Sequence, residues 1–166
     1  PKRAYAIVRL ALDLGLRSGE IANLNLDDVD WQAGTLILRG TKSQRQDVVP
    51  LPEQTGKALA DYVEHERSAI RHPAIFVRQI AGRTTPITSC AVQKVIKCAC
   101  RRIGLPDVSA HALRHTVACR LVERGSSLKE VADLLRHRSL NSTLIYAKLD
   151  TPKLAAVALP WPGSAE

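Results

Sequence analysis

Apolar residues at Ala4, Ile7, Val8, Leu10, Ala11 and Leu14 recur every three or four positions, which predicts a helix over 3–14 with one buried face. Gly15 ends it, and a short second helix is expected over 19–24. The rhythm then shifts to that of a strand at Thr35-Leu-Ile-Leu-Arg39. A polar turn over 40–45 and a returning strand, Asp47-Val-Val-Pro-Leu51, complete a hairpin with a basic tip. Pro50 cannot donate to a ladder, so it marks a sheet edge or a strand end. A helix is expected over 52–71 and a short strand over 75–77. The second half reads as helical. A long basic helix over 89–103 stops at Gly104 and Pro106. Ser109 caps a helix over 111–123, which Gly125 ends. Ser127-Leu-Lys-Glu130 has the spacing of a capping box and opens a helix to about Arg136. Further helical turns are expected over 141–148 and 152–158, with an extended stretch around Pro160 and Pro162. The fold class is α+β, mostly α-helical with a small antiparallel sheet.

A chain of 166 residues that is 45% apolar is one ordinary domain with a sizeable core. No run is apolar enough to cross a membrane, and the charged start does not fit a signal peptide. The chain starts without Met and contains none, as expected of an excised piece. Lys and Arg number 24 against 16 Asp and Glu, a net charge of +8. Between Gln93 and Arg124 there are seven Lys/Arg and two Asp/Glu, a local net of +5. That concentration excludes an acidic solvating protein and points to a nucleic-acid partner. Aromatics at 4% argue against a base-stacking single-strand platform. Cys90, Cys98, Cys100 and Cys119 lack metal-ligand spacing and read as small apolar fillers in a reducing, cytoplasmic compartment.

Three separated segments carry candidate chemistry. In Leu14-Gly-Leu-Arg17-Ser-Gly-Glu20, Arg17 opens a helix with Glu20 one turn on. In His111-Ala-Leu-Arg114, two side chains that suit a phosphate are three positions apart on one helical face. His137 precedes Tyr146 by nine residues. Each alone reads as an ordinary surface pair or a core aromatic. In this order, with Lys42 in the hairpin turn before Val48-Val-Pro-Leu51, the set resembles the catalytic domain of the tyrosine recombinases, the phage integrase family. The resemblance runs from about Ala4 to Lys148.

The resemblance implies site-specific DNA cleavage and rejoining through a covalent 3′-phosphotyrosine, with no cofactor and no metal. It implies that Arg17 and Arg114 bind the phosphate and that Tyr146 is the nucleophile. Lys42 protonates the 5′-oxygen, His111 assists proton transfer at Tyr146, His137 bonds a phosphate oxygen, and Glu20 orients its neighbours. Arg45, Lys94, Lys97, Arg101 and Arg102 are candidate DNA contacts. The expected partner is double-stranded DNA, with a tetramer on DNA and a monomer without it, and no membrane. Residues 1–150 form the catalytic domain, and the family's N-terminal DNA-clamping domain is expected to be missing from this chain. The tail, 151–166, carries Leu154, Val157, Ala158, Leu159 and Trp161 and is expected to dock on a neighbouring subunit in an assembled complex and to fold back on its own domain in a monomer. Two departures stand out: the family usually has Gly where Arg136 stands, and Ala147-Lys148 follows the tyrosine in place of a small polar residue and His. Two other readings fit parts of the pattern. A type IB topoisomerase would relax DNA without sequence preference. A non-catalytic helix-turn-helix module would be indifferent to Tyr146→Phe.

Overall fold

The computed structural model describes residues 1–39, 46–67 and 69–136. The hairpin tip and everything after Arg136, with the turns expected over 141–148 and 152–158 and the tail, lie outside the described residues. The chain divides into two compact units, Pro1–Val117 and Ala118–Glu166.

In the first unit, helix α1 (Lys2–Asp13) turns Ala6, Ile7, Leu10 and Ala11 inward, as the spacing requires. It packs against α3 (Glu53–His65) and α4 (Ser89–Arg102). From α4 come Val92, Ile96 and Cys100; from α3, Leu59 and Tyr62. The Tyr62 ring stacks on Phe76 with centroids 5.3 Å apart. A short helix α2 (Ser18–Ala22) contacts α4 as well. Full burial of each such side chain contributes about 1.5–3 kcal/mol.

The strands form two antiparallel sheets. One has the order β1 (Val29–Asp30), β2 (Thr35–Arg39), β3 (Gln46–Pro50). The register pairs Thr35 with Pro50 and Arg39 with Gln46. Pro50 thus sits at the end of an edge strand, as its missing N–H demands. The second sheet, β4 (Val77–Ile80) and β5 (Arg83–Pro86), departs from expectation. Ile75 and Phe76 are core residues before the strand, and only Val77 belongs to it. The returning strand Arg-Thr-Thr-Pro is polar and mostly exposed, so it carries no apolar alternation to signal it. Its tight turn places Ala81 at φ 49° and Gly82 at φ 75°, the two positive values a twisted two-residue hairpin needs.

Helix α3 ends at His65 rather than Arg71. Arg67 turns inward and is 4% exposed. Its guanidinium donates to the carbonyls of Ile70, His72, Ala74 and Ile75. The corner so formed hydrogen-bonds to the Leu24–Leu26 segment through Ile75 N–H to Leu24 O and Leu26 N–H to Pro73 O. A charged run that favours helix is overridden by a side chain able to satisfy several carbonyls at once. Among the cysteines Cys100 is buried and Cys119 half-buried, but Cys90 and Cys98 are exposed. The inward stripe of α4 passes through 92, 96 and 100, which leaves positions 90 and 98 on the outer side.

Helix α5 (Ala110–Glu123) contains the boundary between the units, and α6 (Leu128–Leu134) lies in the second. Ser127 and Glu130 close a reciprocal capping box at 3.2 and 2.7 Å. After α6, Arg136 takes φ 54°, the left-handed conformation that glycine adopts without penalty. The backbone is the one a glycine would have, although the side chain is arginine.

Arg67→Lys removes the planar fork and is expected to cost at least about 2 kcal/mol, read as a lower urea midpoint. Arg136→Gly relieves the left-handed strain and is expected to add about 1 kcal/mol in the same measurement. An unchanged or lowered midpoint for the glycine variant contradicts the strain.

Candidate active site

The site begins where α1 stops. Leu14 and Leu16 are both buried, and between them Gly15 takes φ 58°. That turn ends the helix, and the chain goes on extended to Arg17, which N-caps α2 at φ −70°, ψ 149°. Arginine is a poor cap, and Glu20 serves in its place. One Glu20 oxygen accepts the Arg17 backbone N–H at 2.8 Å, and the other accepts Nη1–H of the Arg17 side chain at 2.8 Å. A single carboxylate therefore sets both the backbone and the guanidinium of Arg17. The Arg17 side chain is 47% exposed, so this ion pair contributes direction more than stability.

The second group of residues comes from α5. Ser109 Oγ accepts the Ala112 N–H at 3.1 Å and starts the helix at Ala110. His111 is exposed, and Arg114, one turn on, is 4% exposed. Arg114 Nη1–H donates to the Gly15 carbonyl at 2.7 Å, across 99 positions of sequence. The two arginines thus meet through a two-residue stretch of backbone. Gln93 on α4 lies beside both helix starts: its Nε2–H donates to Ser18 Oγ at 3.5 Å, and its Oε1 accepts the Ala110 N–H at 3.4 Å. Nothing in the sequence singles out this glutamine; one polar residue at the margin of an amphipathic helix carries no signal.

The cations of α4 divide by position. Lys94 and Lys97 are exposed. Lys94 and Arg102 line a cavity of about 440 Å³ with Arg3, Glu66, Val95 and Cys98. Arg101 is already engaged, donating to both Asp107 oxygens at 2.6 and 2.5 Å. Those hydrogen bonds hold the Asp107 carboxyl below its ordinary range, against partial desolvation, with the charges of Arg101 and Lys97 adding to the effect.

At the base of the hairpin, Arg39 Nε–H donates at 2.6 Å to Asp28, a carboxylate only 2% exposed. The second Asp28 oxygen accepts the Asn25 N–H at 2.8 Å. Lys42, Arg45, His137 and Tyr146 lie outside the described residues. Among the described residues no three His, Cys, Asp or Glu side chains gather to hold a metal ion, and no helix is long and apolar enough to cross a membrane.

Comparison with known proteins follows the same lines. The chain is 38% identical to y4rF of Sinorhizobium fredii, named integrase/recombinase, over 98% of its length, and it spans 39% of that relative. The solved structure of XerA recombinase matches with TM-score 0.79 and 25% identity, over 96% of this chain and 60% of the other. XerH site-specific recombinase, solved bound to its palindromic difH substrate after cleavage, matches with TM-score 0.78 and 26% identity, over 96% of this chain and 46% of the other. These likenesses bear out the α+β fold with its small antiparallel sheets. The model described as the phage integrase family matches residues 1–152, nearly the whole chain, and the chain belongs to that family.

Proposed function

We propose that residues 1–150 are the catalytic domain of a tyrosine-type, site-specific DNA recombinase. The observation that carries this reading is the bond from Arg114 to the Gly15 carbonyl, which brings the arginine of α5 to the backbone that leads into Arg17. Two arginines attached to one short stretch of backbone suit a phosphodiester. Each offers a planar fork to phosphate oxygens, and together they offset the charge that builds up on the pentavalent phosphorus.

Tyr146 Oη attacks the phosphorus, the P–O5′ bond breaks, and a 3′-phosphotyrosyl link forms. The tyrosine proton passes toward His111, and Lys42 gives a proton to the departing 5′-oxygen. His137 bonds a phosphate oxygen. Rejoining is the reverse: a 5′-hydroxyl attacks the phosphotyrosine, and the phenol leaves with its proton restored. The phosphoester bond is exchanged rather than hydrolysed, so no nucleotide, metal or other cofactor is called for. Glu20 keeps Arg17 in position before DNA arrives.

Double-stranded DNA is the partner this reading requires, and the solved XerH relative is described bound to its own DNA substrate. Lys94, Lys97, Arg102 and Arg45 contact phosphates, while Arg101 is largely occupied by Asp107. Four protomers assemble on two duplexes, and the tail, 151–166, docks on a neighbouring subunit. The compartment is the cytoplasm.

The test is covalent trapping. The chain is mixed with a pool of nicked duplexes of randomised sequence, whose short 5′-hydroxyl piece diffuses away after cleavage. Denaturation in detergent then reveals protein-linked DNA. Adducts are expected from the parent, none from Tyr146→Phe, and about 10²–10³-fold fewer from Arg17→Ala. Adducts that survive Tyr146→Phe overturn the assignment of the nucleophile. Non-covalent binding is expected to fall with salt at a log–log slope of about −0.9 per phosphate contacted. Removal of Lys97 should flatten that slope by about one contact, and removal of Arg101 by less.

A further inference from the structure

We infer that Gln93 is a positioning residue, which sets the Arg17 arm of the site relative to the His111 and Arg114 arm. The inference rests on the recombinase reading and extends it to a residue outside the set that touches DNA.

Ser18 and Ala110 are the immediate chain neighbours of Arg17 and His111. The Gln93 carboxamide reaches both, its nitrogen toward Ser18 Oγ and its oxygen toward the Ala110 N–H. The first N–H groups of a helix have no acceptor within it. Ser109 serves Ala112, and Gln93 serves Ala110. An amide is one of the few side chains that can donate at one end and accept at the other, so it can join two elements that each present a different group. The contacts, at 3.5 and 3.4 Å, are at the long end of hydrogen bonding. Hydrogen bonds within an active site are often long without substrate and tighten when it binds.

Burial sets where this amide lies. Val92 and Ile96 are 0% and 1% exposed, and they hold α4 against the core on either side of Gln93 in sequence. The direct bond from Arg114 to Gly15 and the bridge through Gln93 both join the arms. The direct bond fixes a guanidinium to backbone. The bridge fixes the two helix starts to each other. A displacement of about 1 Å in such a support is enough to cost on the order of 10²-fold in rate.

The experiment uses the full chain and the same nicked, randomised duplexes, and it follows Gln93→Ala, Gln93→Met, Ser18→Ala and the double variant Gln93→Ala with Ser18→Ala. Gln93→Met keeps the length of the side chain and removes its hydrogen bonds, which guards against loss of packing. Three quantities are read: the rate of adduct formation, non-covalent DNA retention by Tyr146→Phe versions of each variant, and the thermal midpoint. Gln93→Ala and Gln93→Met are both expected to form adducts about 10–100-fold more slowly, with retention unchanged within about twofold. The double variant should be no slower than the slower single, because both changes break one bridge. Parental rates from the glutamine variants, effects that multiply in the double variant, or a rate loss matched by an equal loss of DNA retention overturn the inference while leaving the recombinase reading intact. No adduct from the parent itself overturns the phosphotyrosine reading, and this inference falls with it.

Discussion

A hydrogen bond from a buried guanidinium to the carbonyl of a glycine organises this molecule. Arg114 is 4% exposed, and its Nη1–H reaches Gly15 O at 2.7 Å. Gly15 lies just past the C-cap Leu14 of α1, so its carbonyl stands outside the helical ladder. The helix ends there because Gly15 takes φ 58°, which would cost any side chain about 1–2 kcal/mol of strain. One residue thus terminates α1, turns the chain toward Arg17 and supplies the acceptor for Arg114. The bond spans 99 positions, so the two arginines come together only once α1, α4 and the start of α5 have packed.

The two arginines are held in different ways, and the difference bears on their chemistry. The Glu20 carboxylate pairs with Arg17 and offsets part of its charge, on a side chain that is 47% exposed. An exposed pair of this kind is worth little and is readily exchanged for a phosphate. Arg114 Nη1–H donates to the Gly15 carbonyl, a backbone acceptor on a buried side chain. Arg67 shows the same device in a purely structural setting, where backbone carbonyls alone receive a buried guanidinium. From Arg67 to Arg102 the chain carries eight Lys/Arg and no Asp/Glu, so the buried Arg67 is met by backbone and Arg101 reaches beyond the stretch to Asp107.

Much of this was legible in the sequence, because the helices signal themselves through spacing and caps. Ser109, Ser127 and Glu130 cap where their types predict, and Pro50 falls on an edge strand as its missing N–H requires. The failures share one cause: the deciding contact is tertiary and leaves no local pattern. The end of α3 depends on carbonyls that Arg67 finds up to eight residues later. The strand β5 is polar on both faces and exists only because a two-residue turn returns it to β4. Arg17, Glu20, His111 and Arg114 stand out in the sequence because their types and order form a joint pattern. Gln93 does not, because what it bonds lies on two other elements.

Helix α4 brings these threads together. Its buried residues Val92, Ile96 and Cys100 are spaced by four, so the stripe that anchors it to the core also fixes its rotation. Each step along a helix turns by about 100°, so the position after Val92 necessarily points to one side of that stripe. On that side are Ser18 and Ala110, reached by Gln93. Lys97 and Arg101 follow Ile96 and Cys100 as Gln93 follows Val92, so they continue the same side of the stripe farther along the helix, where they are exposed. Core packing therefore sets the direction of that whole side at once, from Gln93 to Arg101. The amphipathic pattern read first along the chain thus reaches the site through the angle at which it locks one helix.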